Sequence, residues 1–100
     1  MKNRTTVRHG MLVDLRDYLK RSGWTIEQPV GKYEVLRARR KGYPRPLLVH
    51  DRERGCGYSI DERDALVYKG WRRSRTKRGL DPYRPTKEET YERDHQISDL

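Results

Sequence analysis

The chain contains no phenylalanine, one cysteine and two tryptophans, and only 32% of its 100 residues are apolar. A core must therefore be thin and built from Leu, Val, Ile, Tyr and the two Trp, with little room for a large enclosed active site. No stretch approaches the roughly 18 consecutive apolar residues of a membrane span, and the N-terminus MKNRTTVRHGMLVDL has no uninterrupted apolar signal core. These absences predict a soluble, cytoplasmic protein with no membrane partner. The lone Cys56 excludes an intrachain disulfide framework. Acidic residues are scarce beside basic ones: 15 Asp and Glu face 24 Lys and Arg, a formal charge of +9.

That charge is unevenly spread. Residues 1–79 hold 21 basic and 9 acidic side chains, a net +12, whereas residues 80–100 hold 3 basic and 6 acidic, a net −3. The final segment, LDPYRPTKEETYERDHQISDL, shows no sustained apolar period, which predicts a disordered or loosely docked acidic tail. Being opposite in sign to the body, such a tail can fold back on it and compete with an anionic partner. Residues 1–10 read as a basic arm, which leaves residues 11–79 for the folded domain.

Within that domain, Met11, Leu12, Leu15, Tyr18 and Leu19 recur at helical spacing opposite Asp14, Arg16, Asp17 and Arg21, so residues 11–22 form a helix. Gly23 can take the left-handed conformation that ends it and lets Trp24 fold back on Leu19. From Trp24 the period changes to two. Turn residues at Pro29 to Gly31 and at Lys41 to Pro44 separate strands over WTIE, KYEVLRARR and PLLVHDR, and Tyr58 to Ile60 adds a short one. Val35 and Leu36 are adjacent in a strand, so one of them is expected on the face away from the core. A second helix starts near Ser59 or Asp61, with Ala65, Val67, Tyr68 and Trp71 toward the sheet, and runs through RRSRTKR toward Gly79. The fold class is α+β: a small single domain of order α-β-β-β(-β)-α, an antiparallel meander packed by two helices, with disordered termini.

Two basic clusters are the leading functional candidates. Arg37, Arg39, Arg40, Lys41 and Arg45 surround one strand and loop, and Arg72, Arg73, Arg75, Lys77 and Arg78 close the second helix. Guanidinium groups bind phosphate oxygens through paired hydrogen bonds, and a basic face attracts a polyanion before any base is read. A charge run alone is a solvated face; a body of +12 tips the balance toward nucleic acid. Tyr43, in a loop beside Pro44 and Arg45, is the ring best placed to stack on a base. Trp24, Tyr58 and Trp71 are needed for the core.

Other chemistry is poorly supplied. Cys56 has neighbouring arginines and one histidine, His50, with Asp51 beside it, but loop cysteines are mostly bystanders. His9, His50, His95 and Cys56 lack metal-ligand spacing, and Asp61, Glu62 and Asp64 are accounted for by helix capping. Gly55 and Gly57 form no phosphate-cradling fingerprint. The reading is non-catalytic, with no cofactor and no metal. The α-β-β-β-α order is that of double-stranded RNA-binding domains, but Asp61, Glu62 and Asp64 occupy the helix start where that family carries lysines.

The stretch GWTIEQPVGKYEVLRARRKGYPRPLLVHDR followed by YSIDERDAL resembles small proteins encoded by bacteriophages and other mobile elements. The likeness spans roughly residues 10 to 75 and implies the cytoplasm of a bacterial host. It carries no assigned activity. The partner expected is nucleic acid, of DNA or RNA type left open; the alternative is a host protein, with the chain acting as a modulator of a defence or nucleic-acid-processing enzyme.

Overall fold

A computed structural model describes residues 5–52 and 57–89. The elements run β1 (Thr6–Val7), α1 (Leu12–Arg21), β2 (Thr25–Glu27), β3 (Glu34–Arg39), β4 (Leu47–Asp51), β5 (Tyr58–Ile60), a 3-10 turn (Glu62–Asp64) and α2 (Ala65–Lys77). The strands form one antiparallel sheet in the order β1-β5-β4-β3-β2. The α+β class, the meander and both helices are as expected.

The apolar stripe of α1 buries Leu12, Leu15 and Leu19. Its end follows from Gly23, whose φ of +93° would strain any side chain. Gly23 N–H donates to the Lys20 carbonyl and Trp24 N–H to the Leu19 carbonyl, the paired bonds of a Schellman stop, and both Leu19 and Trp24 are buried. On the sheet, Leu36 faces Val49, Ala38 faces Leu47 and Val49 faces Ile60, all buried in the cluster that α1 and α2 also fill. The alternate residues Arg37, Leu48, His50 and Ser59 are half-buried on the opposite face, whereas both described helices contribute to the core on the first.

Three features depart from the expectation. The supposed N-terminal arm contains β1, which pairs Thr6 with Ser59 and Val7 with Tyr58, and the Thr5 hydroxyl donates to the Ile60 carbonyl. Two strand residues are too few to show a period, and only the fully buried Val7 carried an apolar signal. A bulge between Glu34 and Leu36 shifts the register of β3, and Val35 packs, half-buried, against the same cluster as Leu36. At the second helix, Asp61 is the cap, as one of the two expected starts has it, its carboxylate accepting from Arg63 N–H; but it caps a 3-10 turn, so the α-helix proper starts at Ala65, and Ser59 stays in β5.

The β1–β5 approach is close at Gly57, which has a φ of +106°; a Cβ there would stand 2.5 Å from the Val7 carbonyl oxygen. Gly57→Ala is expected to cost about 1–3 kcal/mol of stability or more, through its positive φ together with the clash against the β1 backbone. Urea denaturation checks it, and an unchanged midpoint would mean that β1 is not seated on β5 as described.

Candidate functional site

The arginine-rich end of α2 sorts by helical phase. Trp71 is buried against the sheet, and Arg75, one turn later on the same stripe, is 0% exposed. Arg75 Nη1 donates to Asp14 Oδ2 at 3.0 Å and Glu89 Oε2 at 2.8 Å, and Nη2 donates to Glu89 Oε1 at 2.8 Å. Arg78 forks onto both Asp14 oxygens at 2.9 and 3.0 Å, and Trp71 Nε1 donates to Asp14 Oδ2 at 2.9 Å. Burial pushes the Asp14 carboxyl up, but the hydrogen bonds from Arg78, Trp71 and Arg75 outweigh it and hold the group below its ordinary range. Burial likewise pulls Arg75 down, and its bonds to Glu89 and Asp14 more than restore it.

Arg72 lies over the rings of Tyr68 and Tyr83, at 4.4 and 4.1 Å, and donates to the carbonyls of Thr6 and Pro82 and to the Tyr68 hydroxyl oxygen. Burial, the largest influence on it, lowers its pKa. Of the five cations nominated here, only Arg73 and Lys77 are exposed and have no acidic partner among the described residues. Arg75 therefore cannot contact phosphate in this conformation, and Arg72 and Arg78 are committed to the protein. The phase relation between Trp71 and Arg75 was the signal that reading RRSRTKR as one run passed over.

Of the two expectations for the tail, disordered or docked, the same contacts show docking for its first ten residues. Residues 80–89 lie on the body: Leu80 N–H donates to the Arg75 carbonyl, and Arg75 donates to the carbonyls of Asp81 and Arg84. Thr86 and Glu89 bond reciprocally as a capping box. Residues 90–100, with Tyr91 and His95, fall outside the described residues, as do residues 53–56 with Gly55 and Cys56.

The first cluster divides in the same way. Glu27 on β2 lies opposite Arg37 in register and takes Arg39 Nε at 2.9 Å and Arg37 Nε at 3.5 Å. Arg37 also pairs with Glu34 at 3.1 Å. Burial pushes the Glu34 carboxyl up, yet the N–H groups of Val30 and Gly31 together with Arg37 bring it below its usual value. Tyr43 is not a free stacking ring. It packs edge-on against Trp24 at 4.8 Å between centroids and donates its hydroxyl to Asp64 Oδ1 at 2.7 Å. That bond, with burial, raises the Tyr43 pKa. Arg45 Nη1 reaches both oxygens of Asp64, whose side chain has no exposed surface. Asp64, assigned by its position to capping, instead ties the β3–β4 loop to the start of α2. Only Arg40 and Lys41, exposed at the tip of that loop, remain without an acidic partner among the described residues.

These remaining cations occupy two places. Arg40 Nε lies 3.9 Å from where a Cβ on Gly23 would stand, so Arg40, with Lys41 next in the chain, lies by the end of α1, where Lys20 and Arg21 are exposed. The helices run antiparallel, since Asp14 meets Arg75 and Arg78 while the Tyr18 hydroxyl lies against Gly70. Lys69, Arg73 and Lys77 line the outward face of α2. Among the described residues, no three His, Cys, Asp or Glu side chains converge as metal ligands would, and no helix is long and apolar enough to cross a membrane. A shallow groove of about 350 Å³ lies between β1, β5 and the 3-10 turn, lined by Thr5, Thr6, Arg52, Ser59, Ile60, Asp61 and Glu62. No protein-family model, curated protein or solved structure matches the chain.

Two measurements follow from the Arg75 network. Arg75→Met leaves Glu89 unpaired and Asp14 less fully paired, and is expected to cost about 3–5 kcal/mol, against about 0.5 kcal/mol or less for exposed Arg73→Met. Because the fold depresses the Asp14 carboxyl, its contribution is whole above the unfolded-state value of about 4 and is lost as pH falls through the folded value. Melting temperature should be level from neutral pH to about pH 5 and fall below about 4, and Asp14→Asn should lower the plateau and flatten the acid limb.

Proposed function

We propose that this chain is a small, non-catalytic nucleic-acid-binding protein whose phosphate contacts are Arg40, Lys41, Arg73 and Lys77, with Lys20 and Arg21 beside the first pair. One observation carries the reading. The carboxylates of Asp14, Glu27, Glu34, Asp64 and Glu89 are engaged by arginines of the protein itself, while the exposed cations just named have no such partner among the described residues. The positive charge left over is therefore on the outside, where it attracts a polyanion. The bacteriophage or mobile-element setting, and with it the host cytoplasm, rests on the resemblance carried by KYEVLRA and PLLV.

A second reading, a modulator that binds a host enzyme, is favoured by Leu66. This side chain is 84% exposed on the same face of α2 as Lys69, Arg73 and Lys77, and an apolar group amid cations suits a protein contact.

Fluorescence anisotropy of labelled single-stranded DNA, duplex DNA and RNA separates the two. If the four principal cations each engage a duplex phosphate, the log-log slope of affinity against salt is about −3.6, and Arg40→Ala with Lys41→Ala reduces its magnitude by about 1.8. A slope near zero, or a stoichiometric protein partner retained from nuclease-treated lysate with no oligonucleotide binding, would sink the nucleic-acid reading.

A further inference from the structure

The guanidinium of Arg75 serves the C-terminal strap more than the core. All five of its N–H donors are used, and only one reaches the body, at Asp14 on α1. The other four go to residues 81–89: Nε to the Asp81 carbonyl at 2.8 Å, Nη2 to the Arg84 carbonyl at 3.2 Å, and one each from Nη1 and Nη2 to the two Glu89 oxygens, both at 2.8 Å. That last pair is a parallel two-bond fork, the geometry with which arginine holds carboxylate and phosphate alike.

Arg72 and Arg78 stand one turn to either side. Arg72 is covered by the strap through the Pro82 carbonyl and the Tyr83 ring, and Arg78 is half-exposed beside Asp14. The strap backbone rests on Gly10, where a Cβ would come within 2.6 Å of the Glu89 carbonyl oxygen. Beside it, a cleft of about 80 Å³ is lined by Gly10, Val13, Asp14, Asp17 and Glu89. Beneath the strap, the Arg75 and Arg78 guanidinium groups face one carboxylate of the body, Asp14, and Glu89 supplies the second negative charge that balances them.

We infer that Arg75, with Arg78 beside it, forms a phosphate-binding site, for a phosphodiester of a bound nucleic acid, which the chain's own Glu89 carboxylate occupies in this conformation. The inference rests on the nucleic-acid reading above. A phosphodiester presents the same single charge and the same pair of acceptor oxygens as Glu89. The tether keeps Glu89 at a high effective concentration, so a free phosphate competes poorly. A polyanion already held by Arg73 and Lys77, on the outward face of the same helix, gains the matching advantage. The strap thus selects a strand of several phosphates over a lone anion.

The test uses the full chain and a labelled oligonucleotide at fixed salt. Glu89→Gln weakens the fork, and Glu62→Gln, an exposed acid at the opposite end of α2, serves as the charge-matched control. Glu89→Gln should tighten binding at least about threefold more than the control, with a salt slope steeper by about 0.9 for each phosphate gained. Tyr83→Ala loosens the strap at Arg72 without changing charge and should tighten binding in the same direction; it decides the matter alone if Glu89→Gln melts below the assay temperature. Wild-type binding that Glu89→Gln improves no more than Glu62→Gln, with Tyr83→Ala neutral or weaker, overturns the site and leaves the function standing. Absence of binding by every form overturns both.

Discussion

The structure depends on burying the Arg75 guanidinium. Removing such an ion from water costs several kcal/mol, and the cost is tolerable only because each donor finds an acceptor. That requirement ties together parts of the chain that share little apolar surface. Asp14 must present its carboxylate from the first turn of α1, which fixes the helix pair, and residues 81–89 must wrap back over the end of α2. Trp71 and Arg78 share the same carboxylate, so the helix crossing, the core tryptophan and the strap form one unit.

A second buried carboxylate performs the matching task at the other end of α2. Asp64 receives Arg45 and the Tyr43 hydroxyl, and Tyr43 rests in turn on Trp24, which closes the stop of α1. A chain without phenylalanine thus replaces part of its missing apolar packing with guanidinium–carboxylate contacts at both helix ends. The consequence for function is a division of labour among residues of one chemical type. Arginines with an inward phase hold the fold, whereas Arg40, Lys41, Arg73 and Lys77 carry the outward charge.

Much of the fold was legible. The stripe of Leu12, Leu15 and Leu19, the Gly23 stop with Trp24 folding back, and the alternation through EVLRAR and LLVHD are local signals, and local structure follows them. What sequence reading missed depended on distant partners. Thr6 and Val7 become a strand only because β5 offers an edge, and Asp64 is drawn from a capping position by Arg45, 19 residues away. Arg75 is the instructive case among the candidate site residues. Its place on the Trp71 stripe was visible in the sequence, but the acceptors that permit its burial lie on α1 and beyond Gly79, in a segment whose composition suggests no order. Seven of the eleven nominated residues, Arg37, Arg39, Tyr43, Arg45, Arg72, Arg75 and Arg78, turn out to be engaged by the protein itself.

The measurement that bears most directly on this account is solvent exchange of arginine Nε–H groups in the free protein at neutral pH, followed by nitrogen-resolved NMR. The account predicts a resolved, slowly exchanging Nε–H for Arg75, donated to the Asp81 carbonyl, beside rapid exchange at exposed Arg73. Exchange at Arg75 as fast as at Arg73 would contradict it, because the guanidinium would then be open to water and neither the strap nor the helix pair would be held as described.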